Sequence, residues 1–248
     1  KKKVFVFFQV TSQKEKYFLQ NLTNMSENKK ILELLKTKSS TKQEVFRVTK
    51  SVFSELSDIL KKKAEILSEE MKKEDKFVEV DFNSKGDFES HLKFSGDRLI
   101  FHMHSNVFDF ANSHEIHKTS YVKEDKMRSF CGVIHIYNFL NDSFKYNRIN
   151  DVGNLVARIF INKDKHFFVE GEKQLGFLFN DFVNQKINIQ TMEQIIDASI
   201  LFSLKFDLIT PNFQDINLVD VHHLLDMNNS HKLRTSKSLG FKFSFENK

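Results

Sequence analysis

Six of the ten histidines fall between positions 91 and 135: His91, His102, His104, His114, His117 and His135. Imidazole is the side chain that most readily ligates metals and carries protons near neutral pH, so chemistry is sought first in this stretch. On a strand, His102 and His104 point to one face with Arg98 and Ile100, while Leu99, Phe101 and Met103 point to the other. A His-x-His pair so placed can aim two imidazoles at one metal ion, and His135 is the third candidate ligand. A metal-dependent enzyme built on His102, His104 and His135 is therefore one reading. The plainer reading makes them neutral hydrogen-bonding groups on a half-solvated sheet face, with no cofactor and no metal.

The remaining reactive residue types give less. Cys131 and His135 suit a nucleophile and its base by type, but four strand residues separate them by about 13 Å, so Cys131 reads as a buried structural thiol. His114 and His117 stand one residue short of the zinc-protease spacing that brings two imidazoles to one helix face. The seven glycines include no Gly-x-Gly pair, which removes the usual phosphate-cradling loops.

Positive charge supplies another candidate site. Lys61, Lys62 and Lys63, with Lys72 and Lys73, are placed to meet an anionic partner such as RNA, a ribonucleoprotein or an acidic protein. The alternative is a solvated helix surface, in which Asp58 with Lys62 and Glu69 with Lys73 form pairs four residues apart.

The elements that must position these residues follow from periodicity. Lys1–Phe8 reads as a basic start running into a strand, too short in its apolar run for a signal peptide. Ser12-Gln13-Lys14-Glu15 and Thr41-Lys42-Gln43-Glu44 fit capping boxes and mark helix starts. From Thr41, Val45, Val48, Val52, Leu56, Ile59, Leu60, Ile66, Leu67 and Met71 recur at helical spacing as far as Asp75, pairing with an earlier helix around 17–36 as a hairpin. From Phe77 the period becomes two. Strands are expected at 77–82, 92–94, 99–104, 107–110, 130–140, 155–161, 166–170 and 175–182, joined as an antiparallel meander through turns such as Ser95-Gly96. Thr191 opens a helix whose face of Ile195, Ile196, Ser199, Phe202 and Phe206 should cover the sheet, and a short helix is expected near Leu218–Met227. Phe241, Phe243 and Phe245 alternate as a terminal strand.

The fold class is thus α+β: a helical head, an antiparallel sheet of about seven strands with room to curl into a half-barrel, and a long C-terminal helix on it. Charge divides the chain in the same places. Residues 1–76 form a basic head with 18 Lys+Arg against 11 Asp+Glu, residues 77–227 an acidic body with 15 against 21, and residues 228–248 a basic tail with 5 against 1. At 40% apolar and 29% charged the chain is neither disordered nor a membrane bundle, and no apolar run approaches the roughly 20 residues of a spanning helix. One cysteine allows no internal disulfide, which favours a cytoplasmic home.

The stretches 95–104, 136–147, 157–162 and 166–171 together resemble a family of uncharacterised proteins of the Bacteroidota. That resemblance, over roughly residues 80–180, implies a bacterial, cytoplasmic protein and assigns no residue a role. The expected function is a non-enzymatic binding or accessory protein that docks through its basic head on an acidic macromolecule. A phenylalanine-lined sheet holding a small ligand is the alternative beside the metal enzyme.

Overall fold

A computed structural model of the chain describes residues 27–171, 174–208, 210, 212–216, 218 and 220–222. The chain divides into two compact units, with the boundary between Gln43 and Glu44. In the first, residues 27–34 are helical and lead into a π-helical turn, Leu35–Ser39. The long helix α1, Ser40–Glu74, follows without interruption, so Thr41 lies inside a helix already under way and not at its start. The Ser12 box, the opening strand and the tail at 241–245 lie outside the described residues.

The second unit holds α1 from Glu44 onward and an open antiparallel sheet of six strands rather than seven, in the order β1-β2-β3-β4-β5-β6. These are β1 Val80–Ser84, β2 Glu89–Phe94, β3 Asp97–Met103, β4 Cys131–Leu140, β5 Asn154–Asn162 and β6 Phe167–Gly171. Sequential neighbours pair throughout, across the tight turns and across the long connections 104–130 and 141–153 alike. Between β2 and β3 the tight turn at Ser95-Gly96 puts Ser95 at a φ of 54°. The expected strand at 107–110 contributes only a single bridge, Phe108 to Cys131. The one at 175–182 is instead the short helix α4, Gln174–Leu178, and a loop whose carbonyls, from Phe179 and Gln185, accept from the outer edge of β6. Two more short helices interrupt the meander, α2 at Ser120–Glu124 and α3 at Asn141–Lys145.

One face of the sheet carries the main core. Leu92, Leu99, Phe101, Met103, Ile134, Ile136, Ile159, Ile161 and Phe167 meet Val52, Phe53, Leu56 and Leu60 of α1. Helix α5, Ile189–Leu204, packs into the same cluster through Met192, Ile195, Ile196 and Ile200, and Phe202 joins it partly buried. Its cap is Asn188, whose side chain accepts from Thr191 N while Thr191 Oγ1 accepts from Asn188 N; Thr191 is thus the third residue of the helix and not its cap. Burying this face supplies most of the folding free energy, at about 25 cal/mol per Å² of apolar surface.

Among the described residues the other face is covered only at its two ends. At one, the excursion between β3 and β4 seats Phe110, Ile116, Tyr121 and Val122 against Cys131, Val133, Phe160, Phe168 and Phe182. At the other, α3 places Asn141 Oδ1 where it accepts from Arg98 Nη2 at 2.8 Å and Phe144 edge-on to His91. Among the described residues no helix is long and apolar enough to cross a membrane.

Candidate functional site

The middle of that second face, between the covered ends, holds the site. Antiparallel register sets Glu89 of β2 opposite His102 of β3, His102 opposite His135 of β4, His135 opposite Arg158 of β5 and Arg158 opposite Glu170 of β6. Directly opposed residues share a face, so these five form one polar row across five strands. At a strand spacing of about 4.8 Å the row spans about 19 Å. All five side chains are half-exposed.

Aromatic rings flank the row. Tyr137 stacks on His135 with ring centroids 5.6 Å apart and planes 14° apart, and His104 lies 6.3 Å from His135. Phe139 continues beyond Tyr137 on the same strand face. Arg158 pairs with Glu170 and places its guanidinium 5.3 Å from the Phe160 ring. The Nδ1 of His135 is buried without a hydrogen-bond partner among the described residues. Burial holds the His135 imidazole below its ordinary pKa, and Arg158, His102 and His104 push it the same way. At neutral pH it is an uncharged, flat ring.

His91, His114 and His117 serve the frame. His91 is buried, with Nε2 2.6 Å from Glu89 Oε1 and Nδ1 3.3 Å from Arg98 Nη1. His114 Nδ1 accepts from Ile116 N at the start of a short 3-10 turn, and His117 Nε2 lies 3.1 Å from the Phe110 carbonyl. Among the described residues no group of three or more His, Cys, Asp or Glu side chains is arranged to hold a metal ion. His102, His104 and His135 are neighbours on one sheet face but do not form such a set. Cys131 is fully buried, and burial, with Asp109 nearby, raises its thiol well above the ordinary value.

The five candidate lysines all lie on α1. Lys61, Lys62, Lys72 and Lys73 are exposed on α1, while Lys63 is half-buried with Nζ 2.8 Å from Asp197 Oδ1 on α5. Lys73 pairs with Glu70 at 2.8 Å instead of with Glu69, and no ion pair joins Asp58 to Lys62. Lys61 and Lys72, about three turns apart, line one groove together, and Lys63 alone turns to α5.

Sequence reasoning missed Tyr137, Arg158, Glu89 and Glu170. Alternation along β4 and β5 puts Tyr137 with His135, but only the cross-strand register shows that Arg158 joins them. No family model, no curated protein and no solved structure matches the chain.

Proposed function

We propose that the chain is a binding protein for single-stranded nucleic acid, and that the second face of the sheet is its platform. The observation that carries this reading is the lateral alignment of His102, His135 and Arg158 on three central strands, with Tyr137 stacked beside them. Bases splayed from a single strand stack on aromatic rings, imidazoles and guanidinium planes, and each such contact is worth about 1–3 kcal/mol. A sheet filled on one face and lined with half-exposed π systems on the other offers that surface without a deep pocket. The body that carries the platform is itself acidic, with 15 Lys+Arg against 21 Asp+Glu over residues 77–227, so long-range attraction for an anionic partner falls to the basic head, the lysines of α1 included. The same lysines, Lys61, Lys62 and Lys63 with Lys72 and Lys73, are the rival contact surface for the same class of partner.

Anisotropy titration of a labelled oligouridylate dodecamer separates the two surfaces. The platform reading expects a tenfold or greater loss of affinity from Tyr137→Leu or from His102→Ala, since about 1.4 kcal/mol is one decade. Lys61→Glu with Lys62→Glu should weaken binding less and flatten its salt dependence, each phosphate contact contributing about −0.7 to the logarithmic slope. Loss of binding through the lysine pair alone would move the site to α1. No binding at low salt, with a protein partner that co-purifies after nuclease treatment, would replace nucleic acid by protein.

A further inference from the structure

Independently of the platform, we propose that the outer edge of β1 is a docking site for an extended peptide of a partner protein, which joins the sheet as a seventh strand beside α1. Ladder parity identifies the free groups. Lys85 N donates to Glu89 O at 2.8 Å and Ser95 N to Glu79 O at 2.9 Å, so odd-numbered residues of this strand bond to β2. In an antiparallel ladder the bonded residues alternate, so the N–H and C=O of Val80, Phe82 and Ser84 point away from β2. Among the described residues no strand pairs with that edge. Edges of this kind template strand addition unless something blocks them, and β1 has neither a proline nor a bulge.

Helix α1 supplies the wall. Its buried stripe of Val45, Thr49, Val52, Leu56, Leu60 and Ala64 continues into Leu67, Ser68 and Met71, which are only half-buried. The helix thus carries its packing face past the last strand. A groove of about 260 Å³ lies between helix and strand, with Lys61, Glu65, Glu69 and Lys72 along the helix side and Ala64 and Phe82 on the floor. None of these four charged side chains forms an ion pair with a described residue.

Charge order selects the occupant. Along α1 the groove reads positive, negative, negative, positive, with steps of about 4.5–6 Å at 1.5 Å rise per residue. Helix α1 crosses the strands, from Gly132 of β4 against Thr49, through Ser90 of β2 against Ser57, to Phe82 of β1 beside Ala64, so a bound strand meets the charges in this order and not in strict step with its own repeat of about 6.6 Å. The fitting peptide carries acid, base, base, acid on alternate positions, a palindromic pattern that serves either strand direction. Balanced charge and a row of main-chain groups suit a polypeptide and offer nothing to a polyanion.

The test uses the full chain, labelled with ¹⁵N, and the synthetic peptide Asp-Thr-Lys-Val-Lys-Thr-Asp. Binding should shift the amides of Val80, Phe82 and Ser84 and slow their hydrogen exchange, leaving Asp81 and Asn83, already in the ladder, unchanged. The charge-inverted peptide, Lys-Thr-Asp-Val-Asp-Thr-Lys, should bind about tenfold more weakly, and Glu65→Lys with Glu69→Lys should reverse that preference. Ser84→Pro removes an outward donor that the β1–β2 ladder does not use, and should weaken the first peptide about tenfold or more at unchanged Tm. Equal affinity for the two peptides, or no amide shifts at millimolar peptide, overturns the proposal. So does exchange protection of the three amides in the free protein: independent of concentration it assigns the edge to this chain itself, and rising with concentration to a second copy.

Discussion

The side chain of Thr49 fills the space that a Cβ on Gly132 would need: its Oγ1 would lie 2.1 Å away and its own Cβ 2.8 Å away. Helix α1 thereby approaches the backbone of β4 as closely as a strand allows, and Thr49 Oγ1 satisfies itself by donating to Val45 O at 2.8 Å. This contact sets the distance between helix and sheet at the start of the strand that carries His135.

Gly132→Ala should therefore be among the most damaging single-methyl additions in the protein, costing about 1–3 kcal/mol as overpacking. Thr49→Gly alone should cost about 1–2 kcal/mol, a few tenths from helix propensity and the rest from the buried side chain it removes. The double variant should be more stable than the sum of the two losses, because removing the Thr49 side chain makes room for the new methyl group. Urea denaturation of the four proteins measures the coupling. Strict additivity would show that the helix shifts freely and that the contact fixes nothing.

A second expectation concerns pH. The Nδ1 of His91 faces Arg98 Nη1, which can only donate, so Nδ1 accepts and the proton sits on Nε2, directed at Glu89. The ring is neutral in the fold, and burial is the main cause that holds its pKa below the ordinary value. An unfolded chain takes up a proton on this residue as pH falls through about 6.5, while the folded chain does not. Stability contributed by the neutral ring is thus complete above that pH and is lost as pH falls from about 6.5 toward the lower folded value, with a slope of at most about 1.4 kcal/mol per pH unit. Melting curves between pH 7.5 and 5 should show the decline, and His91→Gln should reduce it, the remainder being the share of His135, which burial also holds below its ordinary value. A decline that begins only below about pH 4.5 would assign acid sensitivity to the carboxylates, whose ordinary range lies there.

How far the sequence anticipated this molecule depends on the range of the interaction. Period-two alternation separates Arg98, Ile100, His102 and His104 from Leu99, Phe101 and Met103, and the fold buries the second set against α1 and α5. That division is local and needs no partner strand. The row from Glu89 to Glu170 is not local: β3 and β4 are separated by residues 104–130, whose length does not reveal that His102 lands opposite His135. Apolar runs without a clear period also misled. In the segment 175–182, Leu175 of α4 and Phe179 just after it are buried in the main core, while Phe182, in the loop, packs into the cluster on the other face, so no strand alternation is kept. Thr191 was a plausible cap by type, but Asn188 accepts from its N–H and lies just before the first helical residue.

The last expectation separates lysines that hold the fold from lysines free to meet a partner. Lys63 Nζ lies 2.8 Å from Asp197 Oδ1, with side chains 27% and 48% exposed, so the pair joins α1 to α5 at the surface over the core. An ion pair of this exposure contributes about 1 kcal/mol or less. Reversing one charge does more than delete the pair, since Lys63→Glu sets two carboxylates face to face. Its Tm should fall by about 2–4 °C, the shift expected for about 1 kcal/mol in a protein of this size. Lys62→Glu, at an exposed position, should leave Tm unchanged within a degree. Adding Asp197→Lys to Lys63→Glu restores opposite charges in reverse order and should recover the lost degrees. Differential scanning calorimetry of these variants decides the matter: failure of the double variant to recover would mean that Lys63 acts through its aliphatic stem against the helix and not through its charge. Recovery would explain why any charge reversal meant to probe partner binding on α1 belongs at Lys61 and Lys62 and must spare Lys63.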